Sequence, residues 1–162
     1  GKIYQAGEKA YELNMPLNRF LTIHFDDVCN HDNPQAFMVS LLSHARKWLQ
    51  RRGFPVAYIY TLENAPIKGI HAHLLIYIPP TQQVAFKRAL KCWIPFEWSK
   101  TRVDVKETKY PPYGALHPLN PLYGRLRYIC KGIKPEEQIY NINPKSQGVI
   151  SGRRYGISRI IR

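Results

Sequence analysis

Residues 70–78 read Ile-His-Ala-His-Leu-Leu-Ile-Tyr-Ile, and Pro79 and Pro80 follow at once. A run of β-branched and apolar residues closed by prolines, which cannot donate to a ladder, describes a strand. Side chains alternate between the two faces of a strand. Ile70, Ala72, Leu74, Ile76 and Ile78 therefore share one face, fit for burial, while His71, His73, Leu75 and Tyr77 share the other. The two imidazoles are neighbours on one surface and do not oppose each other across the sheet.

The flanking segments fall into place around this strand. Val56–Glu63 reads as its antiparallel partner, joined through a loop that contains Pro66 and Gly69. Arg19–Phe25, rich in aromatic and β-branched residues, reads as an earlier strand. Asn33 and Pro34 form a helix start, with Asn33 as the cap and Pro34 in the first turn. Phe37, Leu41, Leu42, Ala45, Trp48 and Leu49 then recur at helical spacing until Gly53 and Pro55 end the run. Thr81–Trp93 predicts an amphipathic helix and Arg102–Glu107 a shorter strand. Asn120 and Pro121 open a last helix, closed by Gly132 and Pro135.

The order β-α-β-β-α-β followed by a helix predicts an α+β fold. Its expected form is a ferredoxin-like, RRM-like central antiparallel sheet with helices packed on one face. The expected divisions are a polar N-terminal arm at 1–14, the domain at 15–133 and a basic C-terminal extension at 134–162. A start at Gly1 in place of methionine is what a fragment of a larger protein would show.

The chain has 162 residues, enough for one domain with a real core. Its net charge is +13, which favours phosphate-rich partners through counterion release and steering. The surplus is uneven. Residues 1–80 hold 8 Lys/Arg against 6 Asp/Glu, and residues 81–162 hold 16 against 5. The collective charge makes Arg125, Arg127, Arg153 and Arg154 candidates for contact with DNA phosphates, which position a strand without reading its sequence. Three cysteines without a C-x-x-C pair predict reduced thiols and an intracellular protein. No segment has the length or apolarity of a membrane span, and no membrane partner is expected.

His71, His73 and Glu63 form the candidate metal site. An antiparallel hairpin brings Glu63 opposite His71 or His73 in one register, and a one-residue slip sends it to the other face. Two imidazoles and a carboxylate suit Mn²⁺ or Mg²⁺ and leave open positions for a phosphate oxygen and water. His24 and Asp26 are further possible ligands. Cys29 and His31 lack partners at zinc spacing.

In the last helix, Leu122, Leu126, Ile129 and Cys130 form one apolar stripe and Tyr128 falls off it. Arg125 and Lys131 lie one turn to either side of Tyr128, and Gly124 leaves space beside it. Tyr128 is thus a candidate nucleophile on a positive face, with Lys131 placed to stabilise its charge. Tyr123, nearer the stripe, is the rival.

Taken in order, these segments resemble the HUH endonuclease superfamily, named for histidine-hydrophobic-histidine, and within it the single-tyrosine rolling-circle replication initiators (Reps). Phe20-Leu21-Thr22-Ile23 resembles the first motif, Ile70-His71-Ala72-His73-Leu74 the metal-binding motif, and Tyr128-Ile129-Cys130-Lys131 the nucleophile motif. Glu63 stands where several viral Reps carry their carboxylate ligand. Ala72 is small for the hydrophobic slot. The resemblance implies the HUH fold and a divalent cation on His71, His73 and Glu63. It also implies attack by Tyr128, assisted by Lys131, on single-stranded DNA at a replication origin, as a free strand or in a hairpin. The products would be a 5′-phosphotyrosine link and a free 3′-OH. Host replication machinery or a helicase would be partners, in a bacterial cytoplasm or, for a eukaryotic virus, a host nucleus. A tyrosine after the histidines, with a lysine beside it, favours a Rep over an HUH transposase or relaxase. A non-catalytic single-strand-binding module would explain the charge but would give His71, His73 and Glu63 no common task.

Overall fold

Two apolar faces on one sheet organise the molecule. The computed structural model describes residues 1–25, 34–65, 69–94, 103–108, 120–130 and 154–162. Among these the elements are α1 (Lys2–Glu12), β1 (Arg19–His24), α2 (Pro34–Arg51), β2 (Tyr58–Ala65), β3 (Gly69–Ile76), α3 (Gln83–Trp93), β4 (Val103–Glu107), α4 (Pro121–Ile129) and β5 (Tyr155–Ile157). The strands form one five-stranded antiparallel sheet in the order β4-β1-β3-β2-β5. The first four strands and the two helices between them follow the ferredoxin-like arrangement. Asn18 extends the β1–β3 pairing beyond the strand ends: its side chain donates to the Ile78 carbonyl and accepts from the Ile78 N–H, each at 2.9 Å.

The first core lies between α2, α3 and one face of the sheet. Leu21, Ile23, Leu62, Ala72, Leu74 and Ile76 meet Met38, Leu41, Ala45, Leu49, Phe86 and Leu90 there. This is the face that alternation assigns to burial, and α2 supplies the expected apolar stripe. The helix predicted from Thr81 begins as a 3-10 turn at Pro80–Gln82 and becomes α-helical at Gln83.

The expectation that helices cover only one face is corrected by a second core. On the face that carries the histidines, Phe20, Ile59 and Leu75 are buried against α1 and α4. Three apolar strand residues on that side could not be left in water, so a second helical layer covers them. Leu122, Leu126, Ile129 and Cys130 of α4 supply the stripe that its sequence shows. Asn120 caps the helix, its side-chain oxygen accepting from the Leu122 N–H at 2.9 Å. The end of α4 expected at Gly132 and Pro135 lies outside the described residues, as does the Asn33 cap.

The segment 1–14, which reads as a polar arm, is instead the helix α1. Its packed face consists of Ile3, Tyr4, Ala6, Gly7 and Ala10. Small residues make this face easy to overlook and let α1 approach α4 closely. A β-carbon at Gly7 would stand 2.8 Å from Leu126 Cδ1. At the far edge, β5 joins β2 through Ile59, Tyr60 and Thr61. Gly156 lies against the Tyr60 ring, where a β-carbon would overlap Cε1, so no other residue fits without displacing the ring.

Leu126→Ala removes a fully buried side chain from the α1–α4 contact and is expected to cost about 2–5 kcal/mol in urea-induced unfolding. The thiols are expected to separate in an alkylation time course read by peptide mass spectrometry. Cys92 is exposed and should label quickly. Cys130 is buried, and burial pushes its thiol pKa up to about 12, so it should label only on unfolding.

Candidate metal centre

The strand registers gather the candidate ligands. In the β2–β3 ladder Glu63 pairs with His71 and Thr61 with His73. In the β1–β3 ladder His24 pairs with His71 and Thr22 with His73. Paired residues project from the same face, so Glu63, His71, His73, Thr22 and His24 share the face of the second core. Both histidines are only 2% exposed.

Glu63 lies between the two rings. Its Oε1 is hydrogen-bonded to His71 Nε2, and its Oε2 is 3.7 Å from His73 Nε2. One ligand atom from each of the three residues falls within 4.8 Å of the others. The remaining ring nitrogens are held from behind: His71 Nδ1 donates to the Gly69 carbonyl at 3.1 Å, and His73 Nδ1 meets the Thr22 hydroxyl at 3.3 Å. With Nδ1–H given to a carbonyl, the His71 Nε2 lone pair faces a carboxylate oxygen. Two electron-pair donors in contact need a proton or a metal ion between them. The donor set therefore fits a divalent cation. Burial alone would raise the Glu63 carboxyl, but hydrogen bonds and charge from His71 and His73 outweigh it. The carboxyl is held well below the usual carboxylate range and stays ionised.

Tyr128 comes to this group from α4. It is 42% exposed, off the buried stripe, and its ring meets the His73 ring edge-on with centroids 5.1 Å apart. Phe20 forms the floor beneath: it stacks on His73 at 5.7 Å and meets Tyr128 edge-on at 6.4 Å. Burial first, and the charge of Glu63 second, push the Tyr128 phenol above its ordinary pKa.

The other sequence candidates separate. Tyr123 packs against Tyr4 at 6.2 Å in the second core. The Arg125 guanidinium lies 4.6 Å from the centre of the Phe20 ring, on the side of the metal group. Arg127 lies over Tyr123 instead, at 5.8 Å. The Arg154 carbonyl accepts from the Leu62 N–H at 2.7 Å, tying the last segment to β2 beside Glu63. His24 stacks on His71 at 5.1 Å and is not one of the three converging donors. Lys131, Arg153, Asp26, Cys29 and His31 lie outside the described residues. Thr22, Phe20 and the Gly69 carbonyl are parts of the site that residue types alone do not disclose. Phe20, Thr22 and His24 alternate along β1, so the signal existed but needed the β1–β3 register to be read.

Compared with known protein families, residues 18–134 match the family model for replication-associated proteins of the ORF2 type. No curated protein and no solved structure matches the chain.

Thr22→Val removes the hydroxyl behind His73 while keeping a β-branched strand residue. Partners behind metal-bound histidines are commonly worth about 10–100-fold in affinity. Mn²⁺ binding followed by electron paramagnetic resonance is expected to weaken about tenfold in Thr22→Val and to be lost in Glu63→Ala.

Proposed function

Because the chain belongs to the ORF2-type family of replication-associated proteins, we propose that it initiates replication by nicking and rejoining single-stranded DNA at an origin. The observation that carries this reading is the meeting of the Tyr128 and His73 rings, 5.1 Å between centroids, beside the Glu63, His71 and His73 donors. Mn²⁺ or Mg²⁺ held by these three residues would supply Lewis-acid polarisation of a phosphate oxygen.

The chain's own groups account for the rest. Tyr128 Oη attacks the phosphorus. The Tyr–O–P bond forms as the bond to the 3′ oxygen breaks, the phenolic proton passes to solvent, and the departing oxygen takes up a proton to become a 3′-OH. Bond energy is retained in the 5′-phosphotyrosine, so no nucleotide needs to be hydrolysed and the reverse attack rejoins the strand. The raised phenol pKa keeps Tyr128 protonated and unreactive until positive charge gathers around it. Arg125, held over Phe20, and Lys131, in the following turn, are the assigned sources of protein charge near the phosphate. The free 3′-OH then serves as a primer for host replication machinery, with a helicase opening the duplex. Relaxases and transposases use similar chemistry, and the replication-associated family favours the initiator.

The test is incubation with a randomised single-stranded DNA library and Mn²⁺. A covalent adduct is expected with the unmodified chain and with Tyr123→Phe. It should be absent in Tyr128→Phe and in the presence of chelator. An adduct that survives in Tyr128→Phe and disappears in Tyr123→Phe would move the nucleophile. Metal-independent binding without any adduct would identify a binding module.

A further inference from the structure

A groove of about 640 Å³ runs between α1 and the last segment of the chain, lined by Lys2, Gln5, Lys9, Tyr155, Ile157 and Arg162 among others. None of its described lining residues is acidic. Lys2, Gln5 and Lys9 fall at i, i+3 and i+7, so they line one side of the helix over two turns. Tyr155 and Ile157 form part of the opposite wall and pack partly against the second core. The groove thus combines three cations with an aromatic face.

Its position on the sheet gives it meaning. Thr22 pairs with His73, His73 with Thr61, and Thr61 with Tyr155. These four residues form one row across β1, β3, β2 and β5, projecting from a single face. Neighbouring strands are about 4.8 Å apart, so Tyr155 stands roughly 10 Å along the row from His73, on the same face as the metal group. One or two nucleotides of an extended strand cover that distance. The groove walls also lie outside residues 18–134, the part of the chain that matches its family. They are additions from the two ends of the sequence, brought together by α1 packing and by β5 pairing.

We propose that this groove binds the single-stranded DNA flank next to the scissile phosphate, with Lys2, Lys9 and Arg162 on backbone phosphates and Tyr155 stacked on a base. The proposal rests on the nicking reading above and adds to it the path of the strand away from the metal group. Charge complementarity selects the occupant: a groove with three cations and no described acid suits a polyanion, and an aromatic wall suits unpaired bases.

The test separates this path from the chemistry. Binding of a fluorescent single strand of about 20 nucleotides, long enough to span one such groove, is measured in a Tyr128→Phe background with chelator present, so that neither cleavage nor metal enters. Replacing Lys2, Lys9 and Arg162 together by Gln is expected to weaken binding at least about tenfold at moderate salt. It should also lower the slope of log affinity against log salt by about 2, near 0.7 for each lost phosphate contact on a single strand. Tyr155→Leu is expected to weaken binding about tenfold, and Tyr155→Phe to restore it. On the unsubstituted groove, a strand carrying iodouracil should crosslink on irradiation to the peptide containing Tyr155, which requires no variant to fold. Unchanged affinity and salt slope, with no crosslink to that peptide or to α1, overturns the proposal even where the unmodified chain forms its tyrosyl adduct. A change of oligomeric state in the triple variant at constant strand affinity assigns the groove to a second copy and also overturns it. Failure of the adduct assay alone would count against the nicking reading and leave these binding measurements decisive for the groove.

Discussion

Glu63 faces His71 and His73 across the β2–β3 ladder, and much of the molecule follows from that contact. Nearly buried imidazoles against an ionised carboxylate are costly unless a cation lies between them. The arrangement persists because β3 is the central strand, paired on both sides, and because Gly69 and Thr22 hold the outer ring nitrogens. A one-residue slip of either ladder would send Glu63 or Thr22 to the opposite face and dissolve the cluster. Register therefore sets the chemistry as much as residue identity does.

The two faces of the sheet divide the work. The face toward α2 and α3 is apolar along its described length and contributes burial alone. The other face is half core and half chemistry: Phe20, Ile59 and Leu75 are buried beside His71 and His73. The same α4 whose Leu122 and Leu126 seal this core also presents Tyr128 at its edge. Packing of α1 onto α4 through Gly7 thus sets the position of the phenol relative to the metal group. Phe20 joins the two roles, since its ring lies under His73, Tyr128 and Arg125 at once.

The ends of the chain add to the family's domain without altering it. α1 and β5 extend the histidine-bearing face and its edge with basic and aromatic residues. The row Thr22–His73–Thr61–Tyr155 connects that edge to the metal group through the regular geometry of the sheet, so additions remote in sequence lie within a strand's reach of the centre.

Periodicity by itself determined a good deal. Alternation over 70–78 placed both histidines on one face, proline and asparagine marked the starts of α2 and α4, and the wheel of α4 set Tyr128 apart from its stripe. The order of the motifs along the chain pointed to a replication-associated protein. These features are local, written in spacings of two or about four residues. Tertiary structure alone decided the rest. The polar look of residues 1–14 concealed α1, because alanine and glycine pack a helix closely while adding little hydrophobicity. The second helical layer, β5, and the partners Thr22, Gly69 and Phe20 arise from pairings between distant segments. Strand register and helix docking come from the summed burial of many side chains, a quantity that no single stretch of sequence contains.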